Sequence, residues 1–132
     1  MGGIGKITNA SQMFGGCTNL TSFSSDLSSL TGGLNMFSGC TNLTSFNSDL
    51  SSLTDGNNMF YYCKLDAASV EKILSTIPTY TDGSSHTLTM RIQKGEAVNK
   101  FNEITGSSYR GGSGTYNYNY KGWTISLSSV QV

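Results

Sequence analysis

The chain has 132 residues, of which 12% are charged, and its eight basic and eight acidic residues give a formal net charge of +0. This length predicts one domain, residues 1–132, with a single continuous core. The balanced charge, without a run of Lys or Arg, argues against nucleic acid as a partner, and no apolar run approaches the roughly 18 to 20 residues needed for membrane insertion.

The composition also indicates where the protein works. Roughly a quarter of the residues are Ser or Thr, so hydroxyl groups rather than charges keep the surface polar, which is typical of secreted and cell-surface proteins. The first twenty residues lack the basic head and apolar centre of a signal peptide. We therefore expect an extracellular or cell-surface protein whose export signal is not present in this chain.

A sequence motif recurs with a fixed period in the first half of the chain. The segment MFGGCTNLTSF of residues 13–23 returns as MFSGCTNLTSF, and Met13, Met36 and Met59 are 23 residues apart. Such a period lies within the roughly 20 to 29 residues of leucine-rich repeats. A single unit buries too little apolar surface to offset the entropy of ordering its backbone, so the repeats, over residues 9–65, are expected to stack.

Within one repeat, the spacing of apolar residues predicts the local structure. Met, Phe and Cys at positions i, i+1 and i+4 share one side of a short helical or 3₁₀ turn, which the intervening Gly keeps short. Leu20, Phe23, Leu27 and Leu30 are three and four apart, a spacing that also fits a helix face. Because Ser, Thr and Asp lie between them, we instead expect a short strand at residues 20–23 and another near residues 27–30.

Equivalent positions of stacked repeats should form ladders in the core. Three cysteines 23 residues apart match no zinc pattern, so we expect free buried thiols, with no metal and no cofactor. Asn19 and Asn42 each begin a glycosylation sequon, but a ladder of side-chain amides is favoured. The residues expected to point inward are Met13, Phe14, Cys17, Leu20, Met36, Phe37, Cys40, Leu43, Met59, Phe60 and Cys63.

The pattern M-F-x-G-C-x-N-L-x-S-F, followed by S-D-L-S-S-L, resembles the BspA-type leucine-rich repeats of bacterial surface proteins. The resemblance covers residues from about 9 to 65, and the third copy departs from it at Tyr61, Tyr62 and Lys64, as a terminal repeat would. It implies a solenoid on secreted or surface-anchored bacterial proteins, or on some phage proteins, that serves adhesion or protein binding.

The second half of the chain predicts alternating helices and strands. Asp66 is the expected N-cap of a first helix that Pro78 ends. The resulting fold class is an α/β repeat, a leucine-rich-repeat solenoid of about three 23-residue coils with residues 66–132 as irregular capping coils. The expected elements are a helix over 66–77, a strand over 87–92, a helix over 95–105 and a strand over 122–127.

The loop of residues 106–120 is the candidate binding site. Its tyrosines, Tyr109, Tyr116, Tyr118 and Tyr120, are surrounded by Gly, Ser and Asn, the composition of many binding loops. The last three lie at period two, so they would share one face of a strand or hairpin arm. The alternative is that these rings pack over the end of the repeats and shield it.

The sequence therefore predicts a non-enzymatic module that binds a protein or glycan. The alternative is a structural spacer or self-assembling part of a cell-surface or phage particle. No nucleophile, base and orienting residue can be assembled into a catalytic motif, and His86 is expected in an exposed turn. Asp26 and Asp49 are expected to make turns rather than a Ca²⁺ site, since one carboxylate per coil is too few ligands.

The N-terminal edge of the repeats is a candidate interface. Residues 1–7 are rich in Gly and contain few apolar side chains, so they make a poor cap for the first coil. Two copies are expected to meet end to end about a two-fold axis through this coil. A short strand over residues 4–8 would instead cover the edge within one chain.

Overall fold

The computed structural model describes residues 7–131, so the predicted strand over residues 4–8 lies largely outside the described residues. The fold is mixed α/β. A two-stranded parallel sheet pairs β1 with β2, and a four-stranded sheet has the order β3-β4-β6-β5, antiparallel only between β5 and β6. The elements are β1 Ser22–Phe23, β2 Ser45–Phe46, β3 Gly56–Leu65, α1 Ala67–Thr76, β4 Thr87–Gln93, α2 Glu96–Thr105, β5 Tyr116–Tyr120 and β6 Trp123–Val130.

The repeats lie side by side with equivalent residues in register. Phe23 of β1 pairs with Phe46 of β2, one period later. Single parallel bridges join Asn9 to Gly32 and Gly32 to Asp55 in the same way. The expected strand at residues 20–23 is therefore present as β1, shortened to its last two residues.

The segment around each Met-Phe pair alternates two kinds of backbone hydrogen bond. Phe14 N–H donates to Met36 O and Phe37 N–H donates to Met59 O, both at 2.9 Å, whereas Cys40 N–H donates locally to Phe37 O at 3.0 Å. In the first two repeats the predicted short helical or 3₁₀ turn is present as isolated turns, each closed by a bond from residue i+3 to residue i, whereas the third Met-Phe pair lies in strand β3. The cause is that residues with left-handed backbone conformation, such as Asn35 at φ 56°, recur within each repeat. A right-handed helix cannot continue through such a residue.

The strand expected near residues 27–30 is wrong. Leu30 N–H donates to Leu27 O at 3.0 Å, which closes a turn, and the Asp26 carboxylate accepts the N–H of Ser28 at 2.9 Å. The second repeat does the same, with Ser51 N–H on Asp49 at 2.8 Å. Both leucines of the turn remain fully buried, because a turn of this length points residues three apart to the same side.

The core consists of ladders of equivalent side chains. The rings of Phe14, Phe37 and Phe60 stack with centroids 5.5 Å apart, and Cys40 Sγ donates to Phe14 O at 3.1 Å. Burial raises the pKa of the thiols of Cys40 and Cys63. The predicted ladder residues of the second and third repeats, all with no exposed surface, are Met36, Phe37, Cys40, Leu43, Met59, Phe60 and Cys63.

The first repeat departs from the predicted ladder. Met13 is 43% exposed and Cys17 is exposed, while Phe14 and Leu20 are half-buried. The prediction of a buried thiol at Cys17 is wrong. In the repeats that follow, the equivalent side chains are covered by a neighbouring repeat on both sides. Among residues 7–131, the first repeat has such a neighbour on one side only.

Helix α1 lies beside β2, where a third short strand would otherwise continue the small sheet. Its hydroxyl groups satisfy the strand edge, since Phe46 N–H donates to Ser69 Oγ at 2.7 Å and Leu50 N–H donates to Thr76 Oγ1 at 3.1 Å. The Asp66 side chain accepts the N–H of Ser69 at 2.9 Å, so the predicted N-cap is confirmed.

The segment between α1 and β4 is held by side chains from three directions. Trp123 Nε1 donates to Pro78 O at 2.8 Å, and Tyr80 Oη donates to Leu53 O at 2.6 Å. His86 is buried rather than exposed, so its prediction is wrong. Its ring stacks on Tyr80 at 3.7 Å, and its Nδ1 lies 2.9 Å from Thr54 O, which continues a ladder of side-chain bonds to the same carbonyl in earlier repeats.

Strand β6 begins at Trp123, one residue later than expected, because residues 121 and 122 form a two-residue hairpin turn. The strand extends to Val130. Lys121 and Gly122 have φ of 54° and 82°, the two positive values that a type I′ turn requires. A side chain at Gly122 would also collide with Tyr80 O. Lys121 Nζ donates to Leu74 O at 2.8 Å and Ile77 O at 3.1 Å, and so caps the end of α1.

Neither helix in the described part of the chain is long and apolar enough to cross a membrane. Both α1 and α2 have 10 residues. Each packs one apolar face, containing Val70, Ile73 and Leu74 in α1 and Ala97, Val98 and Phe101 in α2.

Replacing Phe37 with Ala should lower the free energy of unfolding by about 3 to 5 kcal/mol, since its ring is buried between two others. Phe14→Ala, at a half-buried position with one stacked neighbour, should cost less than about 2 kcal/mol. Urea unfolding measures both. If Phe37→Ala unfolded at the same urea concentration as the surface variant Ser51→Ala, the ladder would not carry the stability of the fold.

Candidate binding site

A cavity of about 230 Å³ lies between the loop that follows α2 and strand β5. Tyrosine side chains form its walls, and its rim carries an arginine. Its lining residues are Ser108, Tyr109, Arg110, Gly111, Tyr116 and Tyr118.

Tyr109 fixes the loop to the rest of the fold. Its hydroxyl donates to Ser129 Oγ at 3.0 Å, and its backbone N–H donates to Asn102 Oδ1 at 2.9 Å. Asn102 Nδ2 donates back to Tyr109 O at 2.8 Å, so the loop is joined to both α2 and β6. Burial raises the pKa of the Tyr109 hydroxyl, which therefore stays protonated as a donor at neutral pH.

Glycines allow the loop to approach β6 closely. Gly112 N–H donates to Ser129 Oγ at 2.7 Å. Gly111 has φ 89°, and a Cβ there would lie 3.1 Å from Ser129 Oγ and 3.6 Å from Lys94 Cγ. A side chain at Gly111 would be strained by the positive φ and would press on Ser129, so glycine is favoured at this position.

Strand β5 presents two tyrosines to the cavity. Tyr118 is half-buried, with its ring centroid 5.4 Å from Phe101 and 5.9 Å from Tyr109. Tyr116 lies 6.1 Å from Tyr109 and is 56% exposed. Tyr118 and Tyr109 thus shield the core, as one prediction has it, and Tyr116 offers an open ring face, as the other has it.

The structure brings together three of the four predicted tyrosines. Tyr120 pairs with Trp123 at the hairpin end of β5, with Lys121 Nζ 5.6 Å from its ring centre, and does not line the cavity. Arg110, which lines the cavity and is exposed, was not among the predicted site residues. Its place inside a loop of Tyr, Gly and Ser was the signal available, because arginine is enriched beside tyrosine at binding hot spots.

A second exposed aromatic group, also missed, lies where the regular repeats end. The rings of Tyr61 and Tyr62 are 4.0 Å apart, and Tyr62 is 47% exposed with φ 66°, at the position that Gly16 and Gly39 occupy earlier. The Arg91 guanidinium lies 5.3 Å from the Tyr62 ring centre and donates to the Tyr62 carbonyl at 2.8 Å. Arg91 therefore holds the irregular strand β3 in place.

The described residues do not bring metal-ligating side chains together in a cluster. Among residues 7–131, no three His, Cys, Asp or Glu side chains gather in a group that could hold a metal ion. His86 Nε2 lies 3.3 Å from Asp82 Oδ1, and the ring of this histidine stacks on Tyr80 with its Nδ1 2.9 Å from Thr54 O.

Comparison with known proteins gives one family. The profile described as "BspA type Leucine rich repeat region" matches residues 6–109 in six copies. This match extends past residue 65, where the 23-residue period ends, to the start of the tyrosine loop. Parallel stacking extends in the same direction, since β3 pairs with β4 and β4 with β6. No curated protein and no solved structure matches the chain.

Ser129→Ala should lower the free energy of unfolding by about 1 to 3 kcal/mol, because the Gly112 N–H would lose its acceptor and the Tyr109 hydroxyl would keep only the longer bond to Gly112 O at 3.4 Å. Tyr109→Phe removes the hydroxyl donor itself, with its bonds to Ser129 Oγ at 3.0 Å and Gly112 O at 3.4 Å, and should cost about 1 kcal/mol. Thermal unfolding compares the two variants. Equal stability of Ser129→Ala and the wild type would mean that the loop is not anchored through Ser129.

Proposed function

Because the chain belongs to the BspA-type leucine-rich repeat family, we propose that it is a non-enzymatic binding module whose binding site is the tyrosine-lined cavity. The observation that carries the proposal is the meeting of Tyr109, Tyr116 and Tyr118 around one cavity, on a loop joined to both α2 and β6. Leucine-rich repeats generally serve protein binding and recognition, which agrees with this role.

The arrangement suits recognition because the site is largely preformed. The rings of Tyr109 and Tyr118 are held by packing, so binding would immobilise few further side chains. Tyr116 supplies an exposed, amphipathic contact surface with only two side-chain torsions to fix. A rigid pair of aromatic walls beside one adaptable ring is a common plan for binding sites on scaffolds.

The setting of this module is part of the proposal. The family is typically found on surface or secreted proteins, so we place the protein outside a bacterial cell, in adhesion or in recognition of a protein or glycan. We also propose that the repeats form a solenoid of about three regular 23-residue coils and that residues 66–132 cover its C-terminal end. The hydroxyls of Ser69 and Thr76, which occupy the edge of β2, support this role for α1.

Self-assembly through the first repeat is a second candidate function. Met13 is 43% exposed there. The carbonyls of Leu34, Met36 and Ser38 each accept an N–H from the preceding repeat. The equivalent carbonyls of the first repeat are those of residues 11, 13 and 15. No N–H from the described repeats donates to them. In a two-fold dimer these carbonyls would face the same carbonyls of the second copy, and two acceptors cannot hydrogen-bond to each other. The backbone hydrogen bonds between the copies would therefore have to form along β1.

Tyr116→Ala should weaken every specific interaction of the protein by at least about fivefold, because a central tyrosine of a binding site typically contributes more than about 1 kcal/mol. The assay is a panel of immobilised glycans and purified cell-surface proteins, with binding curves for each positive partner. Tyr62→Gly is the matched control, since it removes a similarly exposed tyrosine outside the cavity.

Three results would contradict the proposal. Tyr116→Ala could retain each interaction at full strength, or Tyr62→Gly could abolish binding instead, which would move the site to the end of the regular repeats. The third is a wild type that binds nothing in the panel and sediments as a dimer that a charge at Ser22 dissociates, which would favour self-assembly.

A further inference from the structure

The rim of the tyrosine-lined cavity carries positive charge with no partner of opposite sign. Arg110 lines the cavity and is exposed. The ion pairs among residues 7–131 join His86 to Asp82 and Lys100 to Glu103, so Arg110 takes part in neither. The lining contains no carboxylate. An exposed guanidinium beside tyrosine walls is therefore available to an anionic group of a ligand.

The two arginines of the chain differ in this respect. The Arg91 side chain donates hydrogen bonds within the protein, from Nε to Cys63 O at 2.6 Å and from Nη2 to Tyr62 O at 2.8 Å. The Arg110 side chain, on the rim of the cavity, donates no hydrogen bond to the described residues. Lys94 lies close by, with its Cγ 3.6 Å from the place of a Cβ at Gly111, and adds to the positive field at the cavity.

The walls and size of the cavity restrict the rest of the ligand. Its volume of about 230 Å³ is below the roughly 300 to 1,000 Å³ of pockets that take drug-sized molecules, so it admits one ring-sized unit. The rings of Tyr116 and Tyr118 lie at 59° and 75° to that of Tyr109, so two walls meet at an angle. Ring faces carry partial negative charge and attract the C–H groups of a sugar.

We propose that the cavity binds a single carboxylated sugar residue of a glycan, with the sugar ring against the tyrosines and its carboxylate on Arg110. This inference rests on the proposed function, because it names the ligand class of the same site. An acidic peptide side chain would use the arginine but leave the aromatic walls unfilled, whereas a neutral sugar would fill the walls and leave the arginine unused. A carboxylated sugar uses both features, and planar guanidinium matches carboxylate in two parallel hydrogen bonds.

The test compares matched sugars on the full chain by NMR titration. Methyl β-glucuronide and a methyl sialoside are the two sources of a carboxylated sugar, methyl β-glucoside is the neutral counterpart, and a short Asp- and Glu-containing peptide is the competing class. The wild type should bind at least one acidic sugar about fivefold to tenfold more tightly than the glucoside, as a charge-assisted contact at an exposed site allows. Addition of salt should reduce that difference.

Variants separate the two parts of the site. Arg110→Gln should bind acidic and neutral sugars equally, and Tyr116→Ala should lose both. Lys72→Gln is the control, because it removes one positive charge on α1, at a residue that does not line the cavity, and should leave the preference unchanged. Far-ultraviolet circular dichroism checks that each variant is folded.

The outcomes distinguish this inference from the function on which it rests. Equal, Tyr116-dependent binding of glucuronide and glucoside by the wild type would overturn the carboxylate assignment and leave the binding module intact. Tighter binding of the peptide than of any acidic sugar, abolished by Arg110→Gln, would replace the glycan by an acidic protein segment. Binding of these sugars that survives Tyr116→Ala would place their site elsewhere and overturn both.

Discussion

The structure depends on how each repeat passes its backbone hydrogen bonds to the next. In residues 33–40 alternate N–H groups close local turns, and those between them donate to carbonyls of the following repeat, as Phe37 does to Met59 O at 2.9 Å. Seven of the eight N–H groups of this segment are thus satisfied without a helix. The arrangement also fixes the register at one period, which is why equivalent side chains stack and the rings of Phe14, Phe37 and Phe60 form one column. Left-handed residues such as Asn35 and Gly39 recur at the same places because each local turn needs them.

The rest of the chain adapts to this edge with side chains where the backbone no longer repeats. Ser69 and Thr76 of α1 accept N–H groups of the second repeat, and His86 takes the place beside Thr54 O that a threonine fills in earlier repeats. These contacts position α1, β4 and β6 without the 23-residue period. They also carry the tyrosine loop, which Asn102 and Ser129 attach to α2 and β6. The tyrosine-lined cavity therefore depends on hydrogen bonds from side chains of unrelated parts of the sequence.

The sequence predicted what depends on period and composition. Spacing and residue type were enough to predict the repeats, the Asp66 N-cap, both helices and the alternation of tyrosines along β5. It failed where a residue's neighbours are distant in the chain. Cys17 is chemically equivalent to Cys40 but lacks a covering repeat among the described residues, and His86 is buried by Tyr80 and Trp123 across a loop that no periodicity describes. Arg110 was missed because its exposure beside the cavity is a property of the folded loop.

The most direct test of this account is the measurement of scalar couplings across hydrogen bonds in a uniformly ¹⁵N- and ¹³C-labelled protein. The apolar spacing of a repeat fits a helix face as well as a stack of turns, and these couplings name the acceptor of each amide. Stacked repeats predict a coupling from the Phe37 amide nitrogen to the Met59 carbonyl carbon and one from the Cys40 amide nitrogen to the Phe37 carbonyl carbon. A coupling from the Phe37 amide to the carbonyl four residues before it, that of Gly33, would mean a helix and would contradict the stacking on which the proposed binding site depends.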